Sequence, residues 1–408
     1  MFAAHAAHAA LLRPLLSCLL GLAALMRPAL AQTSDIDIYG GANPNSDRAN
    51  VLLVLDASAN WNPNVGTSDC YFKDNGVNNG QPSDQRSKYA VELCALYNVV
   101  DALPIGASDT PLFNVGIMLT NSNPQSNQGG YPLQAIKPLN AAGKAALKAA
   151  IRSIANNPTY KASLAQYALM MHEAYLYFKG LAPRVGNLNT PWDSTAVSGG
   201  LYATPAANSC GRNYVILIAN GGPSNGENST AETLLRGLGG NAAVSLISDP
   251  GLGSDAANWA DEYARFMRGA DVSNKLDVQG IITHGVAVID PAKTGQNAET
   301  NYRNFIHSIA NYGGGNYYEA SETDVLVTSL IKIFNNLQAV NSVFASASLP
   351  VSVNARGTYL NQIYMGMFRP DAAGRPRWSG NLKQYRFGVD SVNNIFIADS
   401  AGSPAING

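Results

Sequence analysis

The sequence predicts an α/β protein with a doubly wound, mostly parallel sheet, followed by a short all-β extension. Three observations carry this. Apolar runs of strand length alternate with amphipathic runs of helix length from residue 50 to residue 340. Two of the strand-length runs, "NVLLVLD" (50–56) and the apolar part of "NYVILIANGGP" (213–223), are continuous, the mark of strands covered on both faces. After residue 340 the apolar period becomes two.

Taken in order, the 50–56 strand is followed by a Gly/Asn-rich loop from Asn60 to Asp84. "SKYAVELCALYNVVDAL" (87–103) has helical spacing at Tyr89, Leu93, Leu96 and Val100, and "FNVGIMLT" (113–120) is the next strand. "NAAGKAALKAAIRSIANN" (140–157) is an amphipathic helix with Leu147, Ile151 and Ile154 inward. "SLAQYALMMHEAYLYFKG" (163–180) is a second helix, stopped by Gly180. Residues 181–210 read as loop, and 213–223 as a buried strand ending in a Gly-Gly turn. Helix (256–269), strand (278–289), helix (299–315), the short strand "NYYEA" and a closing helix (322–340, with Glu322 or Thr323 near its cap) complete the alternation. One of Tyr317 and Tyr318 should face the core and the other solvent, and neither needs a ligand to account for it. Beyond lie "SVFASASLPVSV" (342–353), "QIYMGMFRP" (362–370), "GNLKQYRFGV" and "NNIFIADSAG", with turns at "RPDAAGRP" and "DSVNN".

Residues 1–31 read as a secretory signal peptide: Arg13 is followed by an apolar run from Leu15 to Met26 and a small-x-small site, "ALA" at 29–31. The run is too short to span a bilayer, and no later stretch approaches about 18 apolar residues. The expectation is cleavage before Gln32 and an exported chain without stable membrane insertion, placed in the periplasm or on the outer surface. Cys18 after "LLS" only faintly resembles a lipoprotein signal, because the apolar run continues past it. Domain limits follow as 1–31 signal, 32–340 α/β domain and 341–408 β-rich extension.

Charged residues make up 13% and the net charge is −1, so no basic field exists to hold nucleic acid or anionic lipid. A G-x-G-x-x-G after the first strand, a G-x-x-x-x-G-K-[ST] loop and a G-x-S-x-G elbow are all missing from the sequence. No acid/base pair or nucleophile with its base has recognisable spacing, so the chain is expected not to be an enzyme. After cleavage Cys70, Cys94 and Cys210 remain, and three pairings are open; nearness in sequence favours Cys70 with Cys94. His172, His284 and His307 are scattered and read as core or surface residues. Asp69 and Asp74 in "GTSDCYFKDNGVNNG" (66–80) read as a solvated loop, since the EF-hand ligand order is missing. "RGT" (356–358) reads as a turn.

A doubly wound sheet binds at the carboxyl ends of its strands, where the strand order reverses. Two stretches lie at such ends: "DASAN" (56–60) and "NGGPS" (220–224). Here the sequence resembles a von Willebrand factor A domain, whose first strand ends in D-x-S-x-S and whose fourth ends in an acid followed by glycine. It resembles more closely the N-terminal part of the type IV pilus adhesins of the PilY/PilC type. The stretches that carry this are "DIDIYGGANPN", "NVLLVLDASANWN", "EAYLYFKG", "RNYVILIANGGP", "IANYGGGNYYEAS" and, most specifically, "YMGMFRPDAAGRPRWSGNLKQYRF". In that family a large β-propeller follows, so residues 341–408 are expected to open a β domain that this chain does not continue.

The resemblance implies a set of metal ligands. Asp56 and Ser58 match the first two positions of D-x-S-x-S, Asn60 stands at the third, Ser163 (or, nearby, Thr159) is the candidate for a separate hydroxyl ligand, and Asn220 stands where the fourth-strand acid is expected. Mg²⁺ and Ca²⁺ want hard oxygens and negative charge, and with asparagines at 60 and 220 only Asp56 supplies charge. A Mg²⁺ or Ca²⁺ site is therefore expected to be weak or absent, and the same residues would then hydrogen-bond each other and the loop amides. The function implied is a secreted, non-catalytic adhesin-like protein supporting pilus assembly and surface attachment. Its implied partners are minor pilins or a pilus tip complex and a host or abiotic surface. The alternatives are a truncated family member with a degenerate metal site and no independent role, or a cation-dependent protein-binding module unrelated to pili.

Overall fold

The computed structural model describes residues 48–58, 65, 68–121, 129–155, 157–185, 192–206, 211–239, 245–274, 278–341, 344–346, 363–369, 379–389, 395–399 and 401–403. The signal-peptide residues 1–31, Asn60, Cys210 and the tripeptide 356–358 lie outside these. The central sheet has six strands: β1 (Ala49–Leu55), β4 (Phe113–Thr120), β5 (Gly130–Pro138), β8 (Asn213–Ala219), β9 (Ile281–Val288) and β10 (Gly314–Ala320). Their order is β10-β9-β8-β1-β4-β5. Every pair is parallel except β4 with β5. The chain builds outward from β1 through β4 to β5, then returns to the other side of β1 and builds outward again through β8, β9 and β10. The strand order therefore reverses between β1 and β8, which places the switch point of this doubly wound fold beside Asp56.

β1 is buried at all seven positions and sorts its side chains by parity. Val51, Leu53 and Leu55 enter a core completed by three helices: α1 (Lys88–Ala102), α2 (Ala141–Ala155) and α7 (Thr323–Asn341). Leu52 and Val54 enter the opposite core with α3 (Tyr167–Lys179), α4 (Asn228–Gly239), α5 (Ala260–Gly269) and α6 (Asn297–Tyr312). Two helical layers thus cover both faces, which explains the uninterrupted apolar runs. Tyr317 and Tyr318 follow from this: each is half-buried, one against each core, so neither is the solvent-facing residue that alternation alone implied.

Helix ends obey local chemistry. Ser87 caps α1 by accepting the Ala90 N–H at 3.1 Å. Gly180 ends α3 at φ +73°, a left-handed conformation natural to glycine. The start of α3 has no cap from its own chain segment; the buried carboxylate of Glu227 takes the N–H groups of Ala168 and Leu169 at 3.1 and 2.9 Å. α3 begins at Tyr167, which leaves Ser163 in the preceding loop and outside the 163–180 helix expected from periodicity.

Several elements escaped the periodicity. β5 carries Pro132 and Pro138 and is the antiparallel edge strand, where proline is tolerated. α4 fully buries Ala231 and Leu235 and packs Leu234 and Leu238 against the same core, a short apolar stripe at helical spacing. Two short hairpins, β2 (Lys73–Asp74) with β3 (Val77–Asn78) and β6 (Val197–Ser198) with β7 (Leu201–Tyr202), lie in segments read as loop. Cys70 and Cys94 are joined by a disulfide that fastens the segment before β2 to α1. Asp69 and Asp74 are engaged by Arg86 and Lys148.

By compactness the chain divides into two units. One comprises residues 43–346 with 366–381, the other residues 1–42, 347–365 and 382–408. Four strands, β11 (Phe344–Ser346), β12 (Ile363–Arg369), β13 (Ser379–Val389) and β14 (Ile395–Ala398), form a sheet in that order. β11 pairs with β12, and β13 with β14, in antiparallel fashion. Among the described residues no helix is long and apolar enough to cross a membrane.

A buried polar turn as the candidate functional site

β1 delivers Asp56 to the carboxyl edge of the sheet, where its N–H extends the ladder to Ile218 O at 3.0 Å. The chain then turns. Oδ1 of Asp56 accepts the Ser58 N–H at 2.9 Å, an aspartate closing its own turn two residues on. The next amide, Ala57 N, donates to Thr120 Oγ1 at the end of β4 (3.0 Å), and Ala162 N donates to Ala57 O at 2.8 Å. Neighbouring strands and loops thus fix the turn on both sides.

The second carboxyl oxygen meets a tyrosine. The Tyr167 hydroxyl, in the first turn of α3, lies 2.7 Å from Asp56 Oδ2 and 2.7 Å from Gly221 O. All three groups belong to one buried cluster in which Asp56 and Tyr167 have no solvent exposure. A phenol has one proton and two acceptors face it. The set is satisfied when Asp56 carries a proton on Oδ2, donates it to the phenol oxygen, and the phenol donates to Gly221 O. The electrostatics agree, since burial raises the Asp56 carboxyl above its ordinary range and outweighs the hydrogen bonds from Tyr167 and Ser58.

Asn220 arrives from the end of β8, fully buried, and turns its amide nitrogen inward. Nδ2 donates to Asp56 O at 2.8 Å and lies 3.4 Å from Glu92 Oε2. Glu92, on α1, is the acid that motif reasoning missed. It is buried among apolar neighbours, and its Oε1 has no partner. Burial pushes its carboxyl well up, and any ionisation of the nearby Asp56 would push it further. Its signal was present in the sequence: a lone acid inside the apolar run "YAVELCAL". Lys88, one helical turn earlier, is spoken for by Glu299 at 3.1 Å, and Glu299 also takes the Asp290 N–H at 2.7 Å. The Tyr302 hydroxyl closes the neighbouring strand ends, donating to Ala219 O and lying 3.3 Å from Val288 O.

The structure therefore brings Asp56, Ser58 and Asn220 together. Ser163 sits on the adjoining loop with its side chain exposed, and Thr159 is exposed, its N–H on Asn157. Asn60 lies outside the described residues. As arranged, these residues do not fit a resident cation. Asp56 has a protein hydrogen-bond partner on each oxygen, Asn220 presents a donor where a ligand oxygen is needed, and the unpartnered oxygen belongs to Glu92, whose carboxyl burial pushes well up. Among the described residues no cluster of three or more His, Cys, Asp or Glu has metal-binding geometry. The histidines are not ligands of such a cluster: His172 Nδ1 bonds the Tyr263 hydroxyl at 3.1 Å, His284 is buried on β9, and His307 is exposed on α6.

No protein-family model matches the chain, and no curated relative matches it. Among solved structures it is similar to BatB, a conserved hypothetical protein of Bacteroides thetaiotaomicron, at 12% identity and TM-score 0.35, covering 71% of this chain and 98% of that one. It is also similar to an aerotolerance-related membrane protein of Bacteroides fragilis, at 12% identity and TM-score 0.33, with 71% and 98% covered. A third is the manganese-loaded TRAP protein of Plasmodium vivax, at 9% identity and TM-score 0.34, with 83% and 93% covered. At such scores the likeness says nothing about function, and the fold class stands on the sheet order and strand directions themselves.

Proposed function

We propose that the protein is an exported, non-catalytic binding component of the type IV pilus adhesin type, supporting pilus assembly and attachment to surfaces. The resemblance of "YMGMFRPDAAGRPRWSGNLKQYRF" and the other quoted stretches to that family supplies the pilus. The observation that carries the non-catalytic reading is the state of Asp56: no exposure, and a protein hydrogen-bond partner on each carboxyl oxygen. An acid so enclosed reaches no substrate, and its turn instead ties β1 to α3 and to the residues after β8. Binding then falls to the surfaces around the sheet edge, with minor pilins or a tip complex as partners inside the assembly and a host or abiotic surface outside it.

The test is retention of minor pilins by the secreted chain, with and without EDTA. This reading expects retention that EDTA leaves unchanged, from a protein whose N-terminus is Gln32. Failure to retain any minor pilin refutes the pilus assignment. Retention lost in EDTA favours the cation-dependent module instead.

A further inference from the structure

The sheet ends at β10, and the pairing of β10 with β9 slips between Gly314 and Tyr317. Gly315 and Asn316 therefore leave the ladder register. Bulges at sheet edges re-aim side chains and recur beside binding sites. This one is pinned from beneath: the Asn316 N–H donates to Nδ1 of His284, buried on β9, at 3.0 Å. Burial lowers the His284 imidazole to about 4, so the ring is a neutral acceptor at ordinary pH.

A cleft of about 430 Å³ opens at the bulge, lined by His307 and Asn311 of α6 and by Gly315, Asn316, Tyr317 and Tyr318. That is the small end of the range for small-molecule clefts, about 300–1,000 Å³. Its lining is amide, phenol and imidazole. The nearest acid is already matched: Glu319 takes Arg303 at 2.9 and 2.6 Å and the Tyr317 hydroxyl at 2.8 Å. No Asp, Glu, Lys or Arg lines the cleft, although Arg268 packs against the neighbouring Gly314, so a charged ligand would find no counter-charge in the lining itself. The exposed amide of Asn311 offers donors and an acceptor, and that of Asn316, which also bonds Tyr318, keeps further capacity, the pattern that adjacent hydroxyls need. Tyr317, with the His307 ring set edge-on at 5.2 Å, adds apolar ring surface on a half-buried side chain.

We propose that this cleft binds a single neutral sugar ring, with Asn311 and Asn316 reading its hydroxyls and Tyr317 contacting its apolar face. The proposal rests on the β10 bulge and is independent of the Asp56 turn. Saturation-transfer NMR on the full secreted chain tests it. The probes are the methyl glycosides of glucose, galactose, mannose and N-acetylglucosamine, with sialic acid as the charged control. Transfer to at least one neutral glycoside is expected, stronger than to sialic acid. In Asn311→Ala/Asn316→Ala, two exposed substitutions that should leave the melting temperature within about 1 °C, affinity should fall about tenfold or more, as expected for two lost hydrogen bonds. Transfer to none of the four, a preference for sialic acid, or unchanged affinity in a folded double variant would each overturn the proposal. Should the double variant melt early, Asn311→Asp places a charge at the rim and must still weaken binding.

Discussion

Replacing Asp56 with asparagine separates a protonated structural acid from an ionised ligand. In the folded protein Oδ1 accepts the Ser58 N–H at 2.9 Å and Oδ2 lies 2.7 Å from the Tyr167 hydroxyl. An asparagine keeps both contacts, since its oxygen accepts from Ser58 and its amide donates to Tyr167 as the carboxyl proton does. At pH 5 the variant should therefore lie within about 1 kcal/mol of the parent, the scale of a conserved hydrogen bond. Because the folded-state pKa of Asp56 is raised, its contribution is fully present below the unfolded pKa and is lost as pH rises through the folded one. Between the unfolded and the raised folded pKa the parent should lose about 1.4 kcal/mol per pH unit from this group, with no further loss above the folded one, and Asp56→Asn should show no such slope. Tyr167→Phe is the contrasting arm. It strips the donor from the half-buried Gly221 O and the partner from the fully buried Asp56 Oδ2, the latter at about 1–3 kcal/mol and the former at about 1 kcal/mol. A loss of roughly 2–4 kcal/mol corresponds to about 4–8 °C in Tm for a domain of this size. Urea unfolding at pH 5 and pH 8 with unchanged m-values reads all three proteins. A loss of more than about 3 kcal/mol in Asp56→Asn at both pH values, as when a paired buried charge is broken, would refute the neutral-acid reasoning.

Other perturbations follow from the same structure. Val54→Asp puts an unpaired charge in a fully buried position on the central strand and should leave no soluble, cooperatively melting protein. Removing the Cys70–Cys94 disulfide, which spans 24 residues, should cost about 3 kcal/mol on the loop-entropy account, checked by melting the double serine variant. Glu227 is raised to about 7, chiefly by burial against the opposing hydrogen bonds from Asn258, Leu169 and Ala168, so its contribution fades as pH climbs from about 4.5 through 7. Glu227→Gln should flatten that part of the pH–stability curve, and an unchanged slope would contradict the assignment. Asn220→Asp sets another buried acid beside Glu92, now 3.4 Å from the amide. It should lower Tm without metal and, combined with Asn60→Ser, raise Mg²⁺ affinity several-fold by calorimetry, and no gain would mean the geometry itself excludes the ion.

The sheet was legible because its strands announce themselves: a strand buried on both faces, as β1 is at all seven positions, needs an unbroken apolar run. β5 was not, because an edge strand bearing two prolines carries no such run. α4 carries a detectable stripe, Ala231, Leu234, Leu235 and Leu238 at helical spacing, which a reading for longer apolar runs passes over. At the site, motif spacing located Asp56, Ser58 and Asn220. It could not show that Tyr167, 111 residues away, supplies the second oxygen's partner, because that contact depends on how α3 enters over the sheet edge. Glu92 illustrates a different gap. An acid in an apolar helical run is visible in sequence, but whether it meets a cation, a metal or only an amide is decided by packing across α1 and β8.

The central claim is that the Asp56 turn is closed by protein hydrogen bonds and holds no divalent cation. Thermal melting of the parent chain in EDTA and in 1 mM Mg²⁺, Ca²⁺ or Mn²⁺ tests it most directly. A site of micromolar affinity would add about 4 kcal/mol at that concentration, or roughly 8 °C. The account predicts that the four curves coincide within about 1 °C, the signature of negligible occupancy. A rise of several degrees with any of the ions, abolished in Asp56→Ala, would contradict it.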